Sequence, residues 1–143
     1  MRIIEEIMQW GRGRGLQALY GTSEQINEML QEVPLAGEVA MYVHLITDSE
    51  TVDGRDRATV AVYFATLCDF DFSGEDLLPV QEMLRGWGKE LLHVVDVGNM
   101  MRYSGVRWQY GYDDYAENVC WVCLRVTIEE LAAECWPLKI NDV

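Results

Sequence analysis

The sequence predicts a single α+β domain, a mainly antiparallel sheet of two hairpins with helices packed on one face, in the order α-α-β-β-α-β-β. Three observations predict it. The chain has 143 residues, 50% hydrophobic and 24% charged, which is globular composition at one domain's length and enough to bury a real core. The period of its apolar residues switches from 3.6 to 2 and back. No repeat, low-complexity tract or linker divides residues 1–143.

Residues 1–33 read as a helical segment. Ile3, Ile4, Ile7, Met8 and Trp10 form an apolar stripe opposite Glu5, Glu6 and Gln9. Gly11-Arg12-Gly13-Arg14-Gly15 should interrupt this helix, because three glycines in five positions give little helix stability. A second short helix should start at Thr22, with Gln25 reaching back as a capping-box partner, and stop before Pro34.

Residues 38–68 read as a hairpin. Val39, Met41, Val43 and Leu45 alternate with Ala40, Tyr42, His44 and Ile46. Ala58, Val60, Val62 and Phe64 then alternate with Thr59, Ala61, Tyr63 and Ala65. Between them residues 48–56 are a polar connection, expected to project from the body.

Residues 73–96 carry the longest helical signal, with Leu77, Val80, Leu84, Trp87, Leu91 and Val94 on one stripe. Ser73 or Asp76 can cap it. Gly86 and Gly88 flank Trp87, each at a cost of about 1 kcal/mol relative to Ala, and imply either a close backbone approach or a break. Residues 106–128 read as a second hairpin. Val106, Trp108, Tyr110 and Tyr112 share one face of its first strand, and Cys120, Val122, Leu124, Val126 and Ile128 share one face of its second. Residues 129–143 read as a C-terminal tail that starts with a helical turn over 129–135.

The formal net charge is −13, from 24 acidic and 11 basic residues. That balance repels phosphate, and the basic residues do not cluster, which argues against a nucleic-acid grip. The start of the chain is charged within six residues and lacks the apolar core of a signal peptide. The longest uncharged apolar stretch, residues 58–68, is far short of the roughly 18 residues that span a membrane. These features predict a cytoplasmic protein whose Cys68, Cys120, Cys123 and Cys135 are reduced core thiols.

Each motif that suggests chemistry meets a plainer competitor. Asp69-Phe70-Asp71-Phe72-Ser73-Gly74 begins like a calcium loop, but its twelfth position is Val80, not a bidentate Glu, and a strand precedes it. A strand-to-helix turn is the better reading. Cys120-Trp121-Val122-Cys123 has half the spacing of a zinc site, yet on a strand its two thiols point to opposite faces. His44 and His93 have no motif neighbour that would make either a base for a nucleophile. The Gly-Arg run lacks the ending and the preceding strand of a P-loop. Asp113, Asp114 and Glu117 read as a solvated turn. No catalytic residue, metal site or cofactor is therefore assigned. Trp108, Tyr110, Tyr112, Tyr115 and Trp121 crowd the last hairpin and suit either an interface or the core.

The N-terminal amphipathic helix, the hairpin with its 48–56 loop, the helix after Ser73 and the closing strand ending Thr127-Ile128-Glu129-Glu130 together resemble the layout of phage tail-terminator and tail-completion proteins. The resemblance implies a non-enzymatic structural protein, of prophage origin and virion-associated. It implies a homo-oligomeric ring meeting other virion or tail proteins, with an acidic lumen that DNA passes without sticking. The expected interface residues are Asp48, Glu50, Asp53 and Arg55 of the hairpin loop, with Trp108, Tyr110 and Tyr112. One alternative is a binding module for an apolar or aromatic ligand beside Trp87 and Trp108, in space left by Gly86 and Gly88. The other is an enzyme using a divalent cation held by Asp69, Asp71 and the turn at Asp113.

Overall fold

A computed structural model describes residues 1–31, 37–68, 73–98, 100–112 and 118–131. Among these, three helices and six strands follow the order α1 (Arg2–Gly13), β1 (Gln17–Gly21), α2 (Ser23–Leu30), β2 (Ala40–His44), β3 (Ser49–Val52), β4 (Arg55–Leu67), α3 (Gly74–Val97), β5 (Met101–Tyr112) and β6 (Val119–Glu130). The strands form one sheet in the order β1-β2-β4-β6-β5, with β3 paired to β4 beyond the end of β2. Every pairing is antiparallel except β1 with β2. The chain is an α+β domain, as its periodicities predict.

The alternation of β4 and β6 sets two apolar layers. On one side Val60, Val62, Phe64, Cys120, Val122, Leu124 and Ile128 pack under α1 and α3, which contribute Ile3, Ile7, Leu84 and Leu91. Each such side chain, once fully buried, stabilises the fold by roughly 1.5–3 kcal/mol. On the other side Ala61, Tyr63, Ala65, Trp121 and Cys123 meet Ile26 of α2. Helices thus cover both faces, not one: Tyr63 and Trp121 form an apolar patch on the second face that needs its own cover, and the Tyr42 hydroxyl donates to the Met29 carbonyl at 3.1 Å to hold α2 there.

Boundaries differ from the sequence expectation in several places, and β5 begins at Met101 rather than at residue 106. The N-terminal segment is not all helical, because β1 lies between α1 and α2. The α1 helix runs through Gly11 rather than breaking there. That residue is buried against Met41 and Ala18, and a Cβ on it would fall 2.5 Å from the Met41 methyl, so close packing on the sheet outweighs poor helix propensity. The expected helical turn after Ile128 is strand at Glu129 and Glu130, and the Leu131 N–H continues the ladder to the Met100 carbonyl at 2.9 Å. Residues 132–143 with Cys135, together with Pro34, lie outside the described residues.

Both expected helix starts are formed. Thr22 and Gln25 make a reciprocal capping box, and so do Ser73 and Asp76, which assigns the cap of α3 to Ser73. The α3 helix is continuous through Gly86 and Gly88. At Gly88 the reason is a close approach: a Cβ there would lie 2.6 Å from Cζ3 of Trp108, whereas at Gly86 it would meet open space.

Candidate interaction surface

Residues 48–56 are more ordered than a polar connection. Ser49–Val52 pairs residue for residue with 55–58 of β4, closed by Asp53 (φ 55) and Gly54 (φ 76). Two left-handed residues in succession define a type I′ turn, whose twist matches the strands it joins. The hairpin is pinned near its turn, where the Asp56 N–H donates to Oε1 of the nearly buried Glu130 at 2.8 Å and the Thr51 hydroxyl donates to Asp56 at 2.7 Å. Arg55 lies 3.9 Å from Asp53 across the turn. Every residue of β3 is exposed.

At the opposite margin, β5 is a twelve-residue edge strand, mostly exposed along its length. Its register slips between Ser104 and Arg107, where Gly105 takes φ +66. This is a β-bulge with glycine in the left-handed position, which inserts one residue and re-aims the side chains beyond it. The three aromatics predicted for an interface divide here. Trp108 sits on Gly88 with the Arg85 guanidinium 5.1 Å above its ring, and Tyr112 packs on the core beside it. Only Tyr110 of the three is an exposed rim residue, 44% accessible, its hydroxyl accepting from Arg85 at 3.2 Å.

Between the two margins the registers align a row of charge. Glu50 of β3 is opposite Arg57 of β4, Arg57 is opposite Glu129 of β6, and Glu129 is opposite Arg102 of β5. The Arg102 guanidinium reaches both Glu129 carboxylate oxygens at 3.3 Å. In the next row Thr59 and Thr127 share a hydroxyl hydrogen bond at 3.1 Å, with Ser104 beyond them. Past the bulge Arg107 is opposite Arg125, an unfavourable like-charge pair that Gln109 relieves in part by accepting from Arg125 at 2.9 Å. This part of the sheet face, beyond the cover of α2, is acidic at its β3 margin and basic at its β5 margin. Sequence reading named Asp48 and Glu50 but missed Arg57, Arg102, Arg107 and Glu129, because the row exists only through three registers.

The remaining candidates resolve as follows. Cys120 and Cys123 lie in opposite layers of the core, as a strand requires. Burial pushes the Cys120 thiol up to about 12, with Cys68 beside it adding to the effect, and burial pushes Cys123 up to about 11. Neither is a nucleophile near neutral pH. His44, which has no neighbour in sequence, meets Ser23 in space at 2.6 Å. Its Nδ1–H donates to the Leu45 carbonyl at 2.8 Å, so Nε2 accepts the Ser23 hydroxyl. The pair ties the start of α2 to the end of β2. Among the described residues, no group of three or more His, Cys, Asp or Glu is placed to hold a metal, and no helix is long and apolar enough to cross a membrane. Asp69, Asp71, Asp113, Asp114 and Glu117 lie outside the described residues.

An apolar groove of about 340 Å³ runs between α1, α3 and the start of β5, lined by Ile7, Trp10, Leu91, Val94 and Met101. It is not where Gly88 leaves room, since Trp108 fills that space. No protein-family model matches this chain, and no curated protein matches it significantly.

Proposed function

We propose that the chain is a non-enzymatic assembly protein that forms a homo-oligomeric ring by joining the open margins of its sheet, in the manner of the tail-terminator and tail-completion proteins its layout resembles. The observation that carries this reading is the open edge strand β5 at one margin of the sheet, with the terminal strand β1 and the exposed hairpin strand β3 on the other. An exposed edge strand invites pairing with another chain unless something blunts it. A contact between two different margins is heterologous, and such contacts close into rings when the rotation permits. Other virion or tail proteins are the partners this reading implies, with the product cytoplasmic before assembly. Light scattering on a sizing column across a concentration series tests it. A discrete oligomer that appears as a ring by negative-stain microscopy is the expected result, and a strict monomer at the highest soluble concentration refutes it.

One observation favours a second reading, a module that binds an apolar or aromatic ligand. The groove beside Trp10 is within the size range of small-molecule sites and has mainly apolar walls. Saturable binding of anilinonaphthalene sulfonate, abolished by Trp10→Ala, would support it, and non-saturable binding would dismiss it.

A further inference from the structure

We infer that Ser23 is a nucleophile activated by His44, a modification site that takes an acyl group from a neutral activated donor such as an aryl ester or a thioester. The step goes beyond the assembly reading and neither needs nor opposes it, because the chain is modified once, without turnover.

The two residues come from different elements. Ser23 is the first residue of α2, directly after its cap Thr22, and His44 is the last residue of β2. Register brings them together, because Gly21 is the Cα partner of His44. The imidazole is oriented by its Nδ1–H, which donates to the Leu45 carbonyl at 2.8 Å. A neutral imidazole has one donor nitrogen and one acceptor, so Nε2 turns its lone pair to the Ser23 hydroxyl at 2.6 Å. A hydroxyl, a base within hydrogen-bond reach and a third group that fixes the tautomer of the base are the parts that activate a serine. Here the third group is a backbone carbonyl.

The oxygen of an incoming carbonyl also has a place. The first N–H groups of a helix lack intrahelical partners. In α2 those of Thr22 and Gln25 are taken by the capping box, and that of Ile26 bonds the Thr22 carbonyl at 2.8 Å. The N–H groups of Ser23 and Glu24 have no partner among the described residues. The N–H of a nucleophile and that of the residue after it are donors that hold the oxyanion in acyl transfer. The capping box keeps them in place, and Gly21 lets it close, since a Cβ there would fall 2.8 Å from Oε1 of Gln25. Ser23 is exposed, so a donor can reach it. Exposed Glu24 beside it and a net charge of −13 repel an anionic donor and favour a neutral one.

In the step, Oγ of Ser23 bonds to the acyl carbon, and the bond from that carbon to the aryloxide or thiolate leaving group breaks. The hydroxyl proton passes to Nε2 of His44 and from there to the leaving group. The imidazole ends neutral and Ser23 carries an ester.

Treating the full chain with p-nitrophenyl acetate and following each site by peptide mass mapping over time tests this. Ser49 and Ser104 are internal controls, exposed as Ser23 is and without an imidazole partner among the described residues. Acetylation of Ser23 should be roughly 100-fold faster than theirs or more, the usual effect of a positioned general base. Gln in place of His44 keeps an acceptor near the hydroxyl but cannot take its proton, so His44→Gln should slow labelling of Ser23 by about the same factor. Circular dichroism shows whether that variant is folded, and if it is not, the ranking of the three serines in the wild-type chain decides alone. Labelling of Ser23 no faster than that of Ser49 and Ser104, or an unchanged rate in folded His44→Gln, would overturn the inference and leave the pair as a tie between α2 and β2.

Discussion

Alanine at Gly86 and at Gly88 should move stability in opposite directions, although the two substitutions are identical in chemistry and lie two residues apart in one helix. Each gains about 1 kcal/mol of helix propensity. At Gly86 nothing lies within 4 Å of the new methyl, so the gain should be realised, less what the exposed site loses to ordinary scatter, as about 0.5–1 kcal/mol. At Gly88 the methyl would fall 2.6 and 2.7 Å from Cζ3 and Cη2 of Trp108. Ordinary contact starts near 3.4 Å, so the indole has to retreat by most of an ångström. It is rigid, stacked under Arg85 at 5.1 Å and held on β5, whose partner is β6. Overpacking of this kind costs about 1–3 kcal/mol. Set against the gain in propensity, the net destabilisation should be about 1 kcal/mol and at most about 2 kcal/mol. Urea unfolding midpoints of both variants, at unchanged slope, measure the difference. Trp108→Leu in the Gly88→Ala background removes the opposing ring, and the double variant should recover at least 1 kcal/mol relative to additivity. If Gly88→Ala stabilises as much as Gly86→Ala, the proposed α3–β5 contact is wrong.

Thr22→Ala removes the side chain that accepts the Gln25 N–H at 3.2 Å, and should cost about 1 kcal/mol in urea unfolding. Ser73→Ala should raise the Asp76 carboxyl, which hydrogen bonds from the Ser73 backbone and side chain hold below its ordinary 3.8. A depressed folded value means that Asp76 stabilises the fold above pH 3.8 and stops doing so as pH falls, a slope that NMR titration should show shrinking in the variant. The Cys120 and Cys123 thiols, pushed up to about 12 and about 11, favour the fold while protonated. Their contribution to stability should therefore be constant below about pH 9 and decline as pH rises toward those values, and Ellman's reagent at pH 8 should modify neither thiol until the chain is unfolded.

Much of the fold was legible because its signals are local or strictly periodic. The stripe of Leu77, Val80, Leu84, Trp87 and Leu91 needs one helix and one apolar layer, although its last expected member, Val94, is exposed while Leu92 and Val95 are buried. The capping boxes at Thr22 and Ser73 need only three residues each. What was hidden depends on partners distant in sequence. β1 has five residues, only Ala18 and Gly21 of them buried, and it becomes a strand by lying parallel to β2. The early half of β5 was obscured by its own bulge. Met101 and Tyr103 turn toward the α3 side, and after Gly105 the same side is taken by Trp108 and Tyr112, so the parity of the alternation flips inside one strand. β3 carries no buried residue, so no alternation could announce it, and Asp53-Gly54 was its sole local signature. The aromatics were ambiguous for a physical reason too. Trp108 and Tyr110 are two residues apart on one face, yet the first lies over a glycine and the second over the Arg85 side chain, and only the tertiary structure makes one core and the other rim.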